Sequence, residues 1–366
     1  MSVVEPPPSP IRARISRSAW LNNLALLRRA APHAKLLAVI KANAYGHGAI
    51  EAARSLTSAD AFGVARLGEA LELRAAGIWQ DIVLMEGVFS DEELSHALAN
   101  GLDLVVHEAA QLAMLERART PGRRPVVWIK LDTGMGRLGF APEALPGVAA
   151  QLQRIAAVGE IRVMTHFARA DEPDSPMTSR QLARFEAALG ALASRPAVAL
   201  ANSAAILRWP RTHGDWVRAG IALYGSSPFA GESASSLGLQ PVMTLETRVI
   251  ALREIALGDG VGYGSTWCAQ RPSRIAVLAA GYADGVPRHL PNGAPVLIEG
   301  HRVPLVGRVS MDMITVDVTD LPQAGVGSTA VLWGEGLPVD EVAAAAGTIS
   351  YELLCGVTRR VSFEYR

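Results

Sequence analysis

Short apolar runs alternate with amphipathic segments from Leu36 to Gly225, and this alternation limits the possible folds more than any other feature of the sequence. The runs have the length of strands, and the segments between them have helical patterns. One segment begins with the capping residue Ser90, carries acidic residues in its first turn and ends at Gly101. The apolar runs are LLAVIK (36–41), AFGVA (61–65), DIVLME (81–86), LDLVV (core 103–106), VVWIKLD (126–132), IRVMTHF (161–167), AVALAN (197–202) and WVRAGIALYG (216–225).

Eight buried runs connected through helices predict parallel strands, and therefore a closed (β/α)8 barrel of the TIM type. The alternative is an open, doubly wound sheet, because that fold uses the same alternation of strand and helix. A closed barrel would bring all eight carboxyl ends of the strands to one face, and active sites of barrel enzymes lie at that face.

The pattern changes after the Ser-, Gly- and Pro-rich segment 226–241. Short apolar runs then follow one another with only turns between them, which is typical of an antiparallel β domain. We therefore predict an α/β barrel domain over residues 12–235 and a mainly antiparallel β domain over residues 236–366, with residues 1–11 packing against the second domain. The later runs are MTLETRVIALREI, RIAVLAAG, PVLIEG, RVPLVG, ITVDV and TAVLWG, followed by a helical segment, VDEVAAAAG.

Composition excludes several classes of function. The chain has 35 basic and 35 acidic residues, so it lacks the net charge that nucleic acids or anionic membranes attract. Its two cysteines, Cys268 and Cys355, are far apart, which argues against a disulfide scaffold and a metal site. Prolines occupy the position of a signal-peptide apolar stretch, and no run reaches membrane-spanning length. We expect a cytoplasmic protein whose partner is a small molecule or a second copy.

Polar residues follow five of the predicted strands at their carboxyl ends. Any one of them is more often structural than functional, but the barrel would bring all of them to one face. Their joint placement therefore predicts a site there. These residues are Lys41 at the end of the first run, Lys130 and Arg137 in the segment 130–139 that leaves the fifth, His166 at the end of the sixth, Asn202 and Ser203 at the end of the seventh, and Arg218 in the eighth, where Gly220 and Ile221 also lie.

The last two strands indicate a phosphate site. Ser203 and the amides of Gly220 and Ile221 lie where barrels often bind phosphate through hydroxyl and backbone N–H groups. A Walker sequence is absent, and GVGYG (260–264) lacks the spacing of a dinucleotide fingerprint. A phosphate site beside a lysine favours pyridoxal phosphate (PLP), whose aldehyde reacts with lysine amines.

From about Arg12 to Arg360 the sequence resembles the bacterial alanine racemases. The resemblance implies a PLP enzyme with an N-terminal barrel, a C-terminal β domain and a head-to-tail homodimer. It also implies interconversion of L- and D-alanine, for peptidoglycan or for catabolism. The motifs that carry it, in family order, are AVIKANAYGHG, KLDTGMGRLGF, THFARADE, ANSAA, VRAGIALYG, VGYGSTW, GYADG and GRVSMDM.

The resemblance also assigns residues to the cofactor. Lys41 would carry PLP, and Arg218 would face its pyridine nitrogen with His166 beside it. Arg137 would bind the phenolic oxygen of the cofactor and help to bind the substrate carboxylate. Lys130 matches a position that the family often carbamylates, although it could instead pair with an acid such as Asp132. The phosphate would be held by Tyr45, Ser203 with its neighbour Asn202, Gly220, Ile221 and Tyr351.

Other residues would belong to the partner subunit or to the route by which substrate reaches the site. Tyr263 and Met311 match positions that the partner contributes, although Tyr263, in a glycine-flanked turn, could serve only for packing. Met311 could act only as a flexible wall that keeps the pocket small. The positions matching the access route are Tyr282, Arg288, Arg308 and Asp312.

Racemisation removes a proton from one face of Cα and returns one to the other, so two bases on opposite faces accomplish it most simply. We assign Lys41 to the proton of D-alanine and Tyr263 to that of L-alanine. A tyrosine has an ordinary pKa of about 10, so its phenolate needs nearby cations at neutral pH. Arg218, acting through His166, could supply that influence.

Three other functions are compatible with a related fold. A broad-specificity racemase is usually exported and disulfide-bonded, features that this sequence does not indicate. A decarboxylase of basic amino acids carries a reactive cysteine motif in its second domain, where this chain has VGYGSTW and GRVSMDM. A non-catalytic PLP-binding protein is a barrel without the β domain. The motifs around Lys41 and Tyr263 favour the alanine racemase.

Overall fold

The computed structural model describes residues 9–119 and 122–366, and the chain forms two compact units. One unit comprises Leu21–Leu223 and Pro228–Glu232. The other comprises the N-terminal part of the chain through Trp20, Tyr224–Ser227 and Ser233–Arg366. Each unit has its own arrangement of strands.

The first unit is a closed barrel of eight parallel strands, as predicted, and not an open sheet. Strand β1 (Arg12–Ile15) precedes it and lies in the other unit. The last barrel strand pairs with the first, with Lys35 opposite Trp216 and Ala38 opposite Ala219. The barrel strands are β2 (Lys35–Val39), β3 (Ala61–Val64), β4 (Ile82–Leu84), β5 (Asp103–Val106), β6 (Val127–Lys130), β7 (Ile161–Met164), β8 (Ala197–Ala199) and β9 (Trp216–Ala219).

Helices connect the barrel strands, and the fifth helix, α5 (Asp91–Ala99), begins as its sequence signals indicate. Ser90 caps the fifth helix by accepting the N–H of Glu93 at 3.1 Å, as its position in the sequence predicts. The helices are α1 (Arg17–Ala30), α2 (Lys41–Gly46), α3 (Ala49–Ser55), α4 (Leu67–Ala75), α5 (Asp91–Ala99), α6 (Ala109–Arg117), α7 (Leu145–Arg154), α8 (Met177–Gly190) and α9 (Ser203–Arg208).

Large side chains fill the amino end of the barrel. The rings of Trp128 and Trp216 meet edge to face with centroids 5.6 Å apart. The guanidinium of Arg162 lies over both rings, 4.9 and 4.7 Å from their centroids, and pairs with Glu160. Because this end is packed, the carboxyl end of the strands remains as the place for a site.

The second unit is a mainly antiparallel sheet organised by one long strand, β10 (Met243–Ile255). β10 pairs antiparallel with β1 and with two later strands, while β1 also pairs in parallel with the last strand of the chain. The remaining elements are β11 (Gly260–Val261), β12 (Trp267–Cys268), β13 (Ser273–Leu278), β14 (Pro295–Ile298), β15 (His301–Pro304), β16 (Ile314–Asp317), β17 (Thr329–Trp333), α10 (Val339–Ala345), α11 (Ser350–Cys355) and β18 (Ser362–Tyr365).

The position of β1 corrects one detail of the predicted domains, which placed residue 12 at the start of the barrel. Arg12 and Arg14 of β1 both pair with Glu246 of β10, so this strand belongs to the sheet. The predicted limit at residues 235–236 stays a prediction, because the chain passes between the units three times between Leu223 and Ser233. Of residues 1–11, whose packing we also predicted, 1–8 lie outside the described residues. Within residues 9–119 and 122–366, no helix has the length and apolar character required to span a membrane.

His47 is buried between α2 and α3, and its ring Nδ1 lies 2.8 Å from the carbonyl oxygen of Tyr45. Burial lowers the pKa of His47 to about 4, an effect that hydrogen bonds to two carbonyls offset only in part. The pKa of His47 is lower in the folded state than in the unfolded state. Between pH 6.5 and 4 the folded chain therefore binds fewer protons than the unfolded chain. Its contribution to stability is therefore complete above pH 6.5 and is lost as the pH falls to about 4.

We predict that His47→Asn, which keeps a donor near the Nδ1 position but does not titrate, removes this pH dependence. The free energy of unfolding of the wild type should fall, relative to that of the variant, by about 3 kcal/mol between pH 6.5 and 4. Urea unfolding of both proteins from pH 4 to 8 measures the difference. Parallel curves for the two proteins over that range would contradict the prediction.

Candidate active site

The site begins with an unusual turn directly after β2. Four consecutive residues, Ala42 to Tyr45, have φ between 51° and 54° and ψ between 43° and 53°, which is left-handed helical backbone. None of them is glycine, and each such residue costs about 1–2 kcal/mol relative to right-handed backbone. Lys41 immediately precedes this turn. The surrounding contacts must therefore hold the backbone in place.

Three side chains supply those contacts. Glu69 accepts the N–H of Ala42 at 2.6 Å, and Asn43 accepts the N–H of Ala49 at 2.9 Å. His47 contacts the carbonyl of Tyr45, as described above. The turn is therefore held at its beginning, its middle and its end.

The turn brings Tyr45 to the carboxyl ends of β8 and β9. Ser203, the first residue of α9, accepts the N–H groups of Gly220 at 2.9 Å and Ala222 at 3.3 Å. A Cβ atom at Gly220 would lie 2.9 Å from the Tyr45 hydroxyl, so only glycine leaves this space open. Asn202 caps α9 through the N–H of Ala205, at 3.0 Å. We call Tyr45, Ser203, Gly220 and Ile221 the anion cradle, because Ser203, which accepts two backbone N–H groups, still has a hydroxyl proton to donate there.

Arg218 in β9 is a buried guanidinium. It donates to the carbonyl oxygens of Ala199, Thr165 and Leu200 at 2.6, 2.6 and 3.0 Å, and its Nη2 lies 3.3 Å from Nδ1 of His166. Burial lowers the pKa of Arg218 to about 10, so the group stays charged at neutral pH. Within residues 9–119 and 122–366 its buried Nε has no hydrogen-bond partner, and such a donor is costly unless a ligand accepts from it.

The groups around Arg218 titrate abnormally. Burial lowers the pKa of His166 well below its ordinary value, and the charges of Arg218, Lys130, Arg137 and Lys41 lower it further. Burial, followed by the charges of Arg218 and Arg137, lowers the pKa of Lys130 to about 8. The imidazole is therefore neutral near pH 7, and the positive potential of the site favours an anionic ligand.

The loop that carries Arg137 is organised by Asp132. The Asp132 carboxylate accepts the backbone N–H groups of Gly134, Met135 and Gly136 at 2.9, 2.8 and 3.1 Å, and that of Arg137 at 3.1 Å. Partial burial raises the pKa of Asp132, but these four donors outweigh it and lower the pKa overall. Asp132 was the acid with which Lys130 could pair. Its carboxylate instead accepts hydrogen bonds from the backbone of its own loop. The Arg137 side chain is exposed.

Gln181 is a further site residue that the sequence reasoning missed. It is fully buried in α8, donates to the carbonyl of His166 at 3.0 Å and accepts the N–H of Ala168 at 2.9 Å. It thereby fixes the backbone around His166. The sequence signal for Gln181 was a glutamine on the buried face of an amphipathic helix.

The other predicted site residues lie in the sheet unit. Tyr263 begins a short 3-10 turn and its side chain is 70% exposed. Packing within its own chain therefore does not account for a tyrosine at this position. Its neighbour Gly262 lies against the backbone of Arg308. Tyr282 donates its N–H to the carbonyl of Ser310 at 3.0 Å, which brings its turn beside Met311.

The remaining residues of this group are also accessible. Asp312 pairs with Arg360 at 2.8 Å, and Arg360 also reaches the buried Asp284 at 3.3 Å. Arg288 is exposed after the Tyr282 turn, and Tyr351 lies exposed in the first turn of α11. The large exposed apolar side chains of this unit therefore include four of the predicted residues: Tyr263, Tyr282, Met311 and Tyr351.

Comparison with known proteins covers nearly the whole chain. Residues 15–228 match the model of the alanine racemase N-terminal domain, and residues 242–365 match that of the alanine racemase C-terminal domain. Alanine racemases from Azoarcus sp. (strain BH72) and Chromohalobacter salexigens are each 53% identical to the chain. The first match covers 98% of this chain and 99% of the relative, and the second covers 98% of each.

Solved structures agree with the sequence matches. The biosynthetic alanine racemase from Pseudomonas aeruginosa is 49% identical and superposes with a TM-score of 0.93, covering 98% of this chain and 99% of its own. The alanine racemase from Acinetobacter baumannii is 40% identical, with a TM-score of 0.91 and coverage of 97% and 99%. A complex of the Clostridium difficile 630 alanine racemase with cycloserine has a TM-score of 0.87 at 32% identity, with coverage of 98% and 96%.

The pKa of about 8 for Lys130 predicts its reactivity. In bicarbonate-free buffer, trace acetylation of Lys130 should increase with pH around a midpoint near 8, below that of an Nα-acetyl-lysine standard, whose pKa is about 10.4. Peptide mass spectrometry resolves the site readily, because the sequence has only three lysines. Arg137→Gln removes one of the repelling charges and should move the midpoint upward. Equal midpoints for Lys130 and the standard would contradict the prediction.

Proposed function

The chain belongs to the alanine racemase family, and from this membership we propose that it interconverts L- and D-alanine with PLP bound at the carboxyl end of the barrel. The observation that carries the placement of PLP is the unpartnered Nε of Arg218 near the anion cradle and the turn that follows Lys41. When bound, PLP supplies an electron sink that makes the Cα–H of an amino acid acidic.

The residues of the barrel suit this cofactor. The hydroxyls of Tyr45 and Ser203 and the amides of Gly220 and Ile221 would hold the phosphate, with Asn202 fixing the start of α9. We assign Tyr351 to the same phosphate as a further hydroxyl. The Nε of Arg218 would donate to the pyridine nitrogen, and because arginine only donates, that nitrogen would stay unprotonated. His166, neutral and close to Arg218, would accept from it and fix its orientation.

Proton transfer then requires two groups of the protein. We assign Lys41 Nζ to the face from which D-alanine loses its proton, and Tyr263 Oη to the face from which L-alanine loses its proton. Arg137 would bind the substrate carboxylate and the phenolic oxygen of the cofactor. Cations such as Arg218, acting through His166, would stabilise the Tyr263 phenolate.

We propose that Tyr263 and Met311 come from the partner in a homodimer, so that each site is shared between subunits. The exposure of Tyr263 (70%) and of Met311 (52%) in the single chain supports this assignment, since large apolar side chains are costly to leave in water. Tyr282, Arg288, Arg308 and Asp312 would line the route of the substrate. We further propose a cytoplasmic enzyme that supplies D-alanine for peptidoglycan or consumes it in catabolism.

Lys130 is a candidate for carbamylation. An amine with a pKa of about 8 is partly uncharged at neutral pH, and only the uncharged amine adds to CO2. The addition forms an N–C bond, releases one proton and leaves a carbamate with one negative charge. That charge would orient Arg137 and offset part of the positive potential of the site.

Incubation of the purified protein with PLP and L-alanine should yield D-alanine until the mixture is nearly equal, as measured by chiral amino-acid analysis. In the holoenzyme, Tyr263→Phe should slow exchange of the L-alanine Cα proton with solvent by about 10²–10⁴-fold, the usual contribution of a general base. Exchange from D-alanine should slow much less. Tyr365→Phe, in β18, is the matched control. Equal losses for both isomers would contradict the assignment of Tyr263, and absence of D-alanine would contradict the racemase function.

Subunit mixing tests the shared site. Lys41→Ala and Tyr263→Phe subunits should each form weakly active homodimers, but a mixed dimer would contain one intact pair of bases. Random reassociation of equal amounts should restore about one quarter of wild-type activity, since half of the dimers would be mixed and each would have one intact site. Mixing without any recovery would place both bases in one chain.

A further inference from the structure

Glu69, in the first turn of α4, joins the ends of two barrel strands. Its Oε1 accepts the N–H of Ala42, three residues beyond the end of β2 at Val39, at 2.6 Å. Its Oε2 accepts the N–H groups of Ala65 and Arg66, which follow β3, at 2.7 and 3.0 Å. One carboxylate thus binds three backbone amides from two separate connections.

The two oxygens have different tasks. The contact of Oε2 with Arg66 is the ordinary interaction of a glutamate in the first turn of a helix with the residue before that helix. The contact of Oε1 is with a residue outside α4 and its N-terminal cap, namely Ala42, the first residue of the left-handed turn. Capping alone does not account for the second contact.

The Ala42 contact supports the first residue of the strained backbone. Left-handed backbone at Ala42 is unfavourable for a residue with a Cβ, and a charge-assisted hydrogen bond is among the stronger single contacts available to oppose it. Ala42 is bonded directly to Lys41, so the orientation of that peptide influences where the lysine side chain begins. The Glu69 carboxylate can therefore control the position of the proposed base through the backbone.

We propose that Glu69 is a positioning residue, whose carboxylate holds the left-handed turn and thereby places the Lys41 amine for proton transfer. This proposal rests on the proposed function, in which Lys41 is one of the two bases. The turn also carries Tyr45 to the anion cradle, so loosening it would affect both the lysine and one phosphate contact.

Glu69→Gln separates the two tasks of the carboxylate. An amide has one acceptor oxygen, and if that oxygen keeps the N–H groups of Ala65 and Arg66, its NH2 group faces the N–H of Ala42, donor against donor. The matched control is Glu72→Gln, an exposed glutamate in the same helix. Both variants are compared with the wild type as PLP-loaded holoenzyme, with activity expressed per bound PLP.

Amide hydrogen exchange gives the first readout, which is independent of catalysis. In Glu69→Gln the Ala42 amide should exchange about tenfold faster or more, as expected for loss of a hydrogen bond to a charged group, while Arg66 keeps its protection. Steady-state kinetics with alanine give the second readout. A misplaced base should lower kcat by about ten- to a hundredfold with little change in KM. Glu72→Gln should leave both readouts unchanged.

Unchanged exchange at Ala42, or an unchanged kcat per bound PLP, would overturn the proposal. Loss of protection at Arg66 as large as that at Ala42 would overturn it as well, in favour of a structural cap. Failure of the proposed function is distinguishable, because the wild type would then show protected Ala42 without racemising alanine.

Discussion

The pairing of β2 with β9 closes the barrel, and the geometry of the site depends on it. These strands come from opposite ends of the barrel sequence, yet their register sets Leu37 beside Arg218 and Ala38 beside Ala219. The turn after Lys41 is therefore next to Gly220, close enough that a Cβ atom at Gly220 would lie only 2.9 Å from the Tyr45 hydroxyl. A slip of one residue would reverse which side chains of β9 face the interior, and Arg218 would leave the site.

Closure also concentrates positive charge. Within residues 9–119 and 122–366, no ion pair joins Arg218 to a carboxylate, and carbonyl oxygens at the ends of β7 and β8 stabilise its charge instead. Carbonyl dipoles reduce the cost of burial, but they leave the net charge in place. Burial lowers the pKa of both His166 and Lys130, and the charge of Arg218 lowers it further. An anionic ligand would complete the electrostatics of the site, and its binding would stabilise the folded chain.

The sequence predicted the parts of this arrangement that follow from repetition. Eight buried runs that alternate with helices predicted the barrel. Because active sites of barrels lie at the carboxyl ends of the strands, the prediction of the barrel also predicted that Lys41, His166, Ser203 and Arg218 lie at one face. The left-handed turn could not be foreseen, since propensity does not predict four non-glycine residues in that conformation. Glu69 could not be foreseen either, because a glutamate in the first turn of a helix is common in any sequence. The place of β1 in the sheet depends on partners more than two hundred residues away, which no local pattern reveals.

The turn also bears on which lysine would carry PLP. The sequence has three lysines, and its other basic side chains are arginines, which remain charged and are poor partners for an aldehyde. Lys35 lies over the Trp216 ring at the amino end of the barrel, away from the cradle. Lys41 and Lys130 both stand at the carboxyl end. Lys130 ends a regular strand and is buried, whereas Lys41 opens the turn that delivers Tyr45 to Gly220. Burial and the positive charges of the site lower the pKa of Lys130, and the strained backbone after Lys41 is a second feature that distinguishes the two lysines.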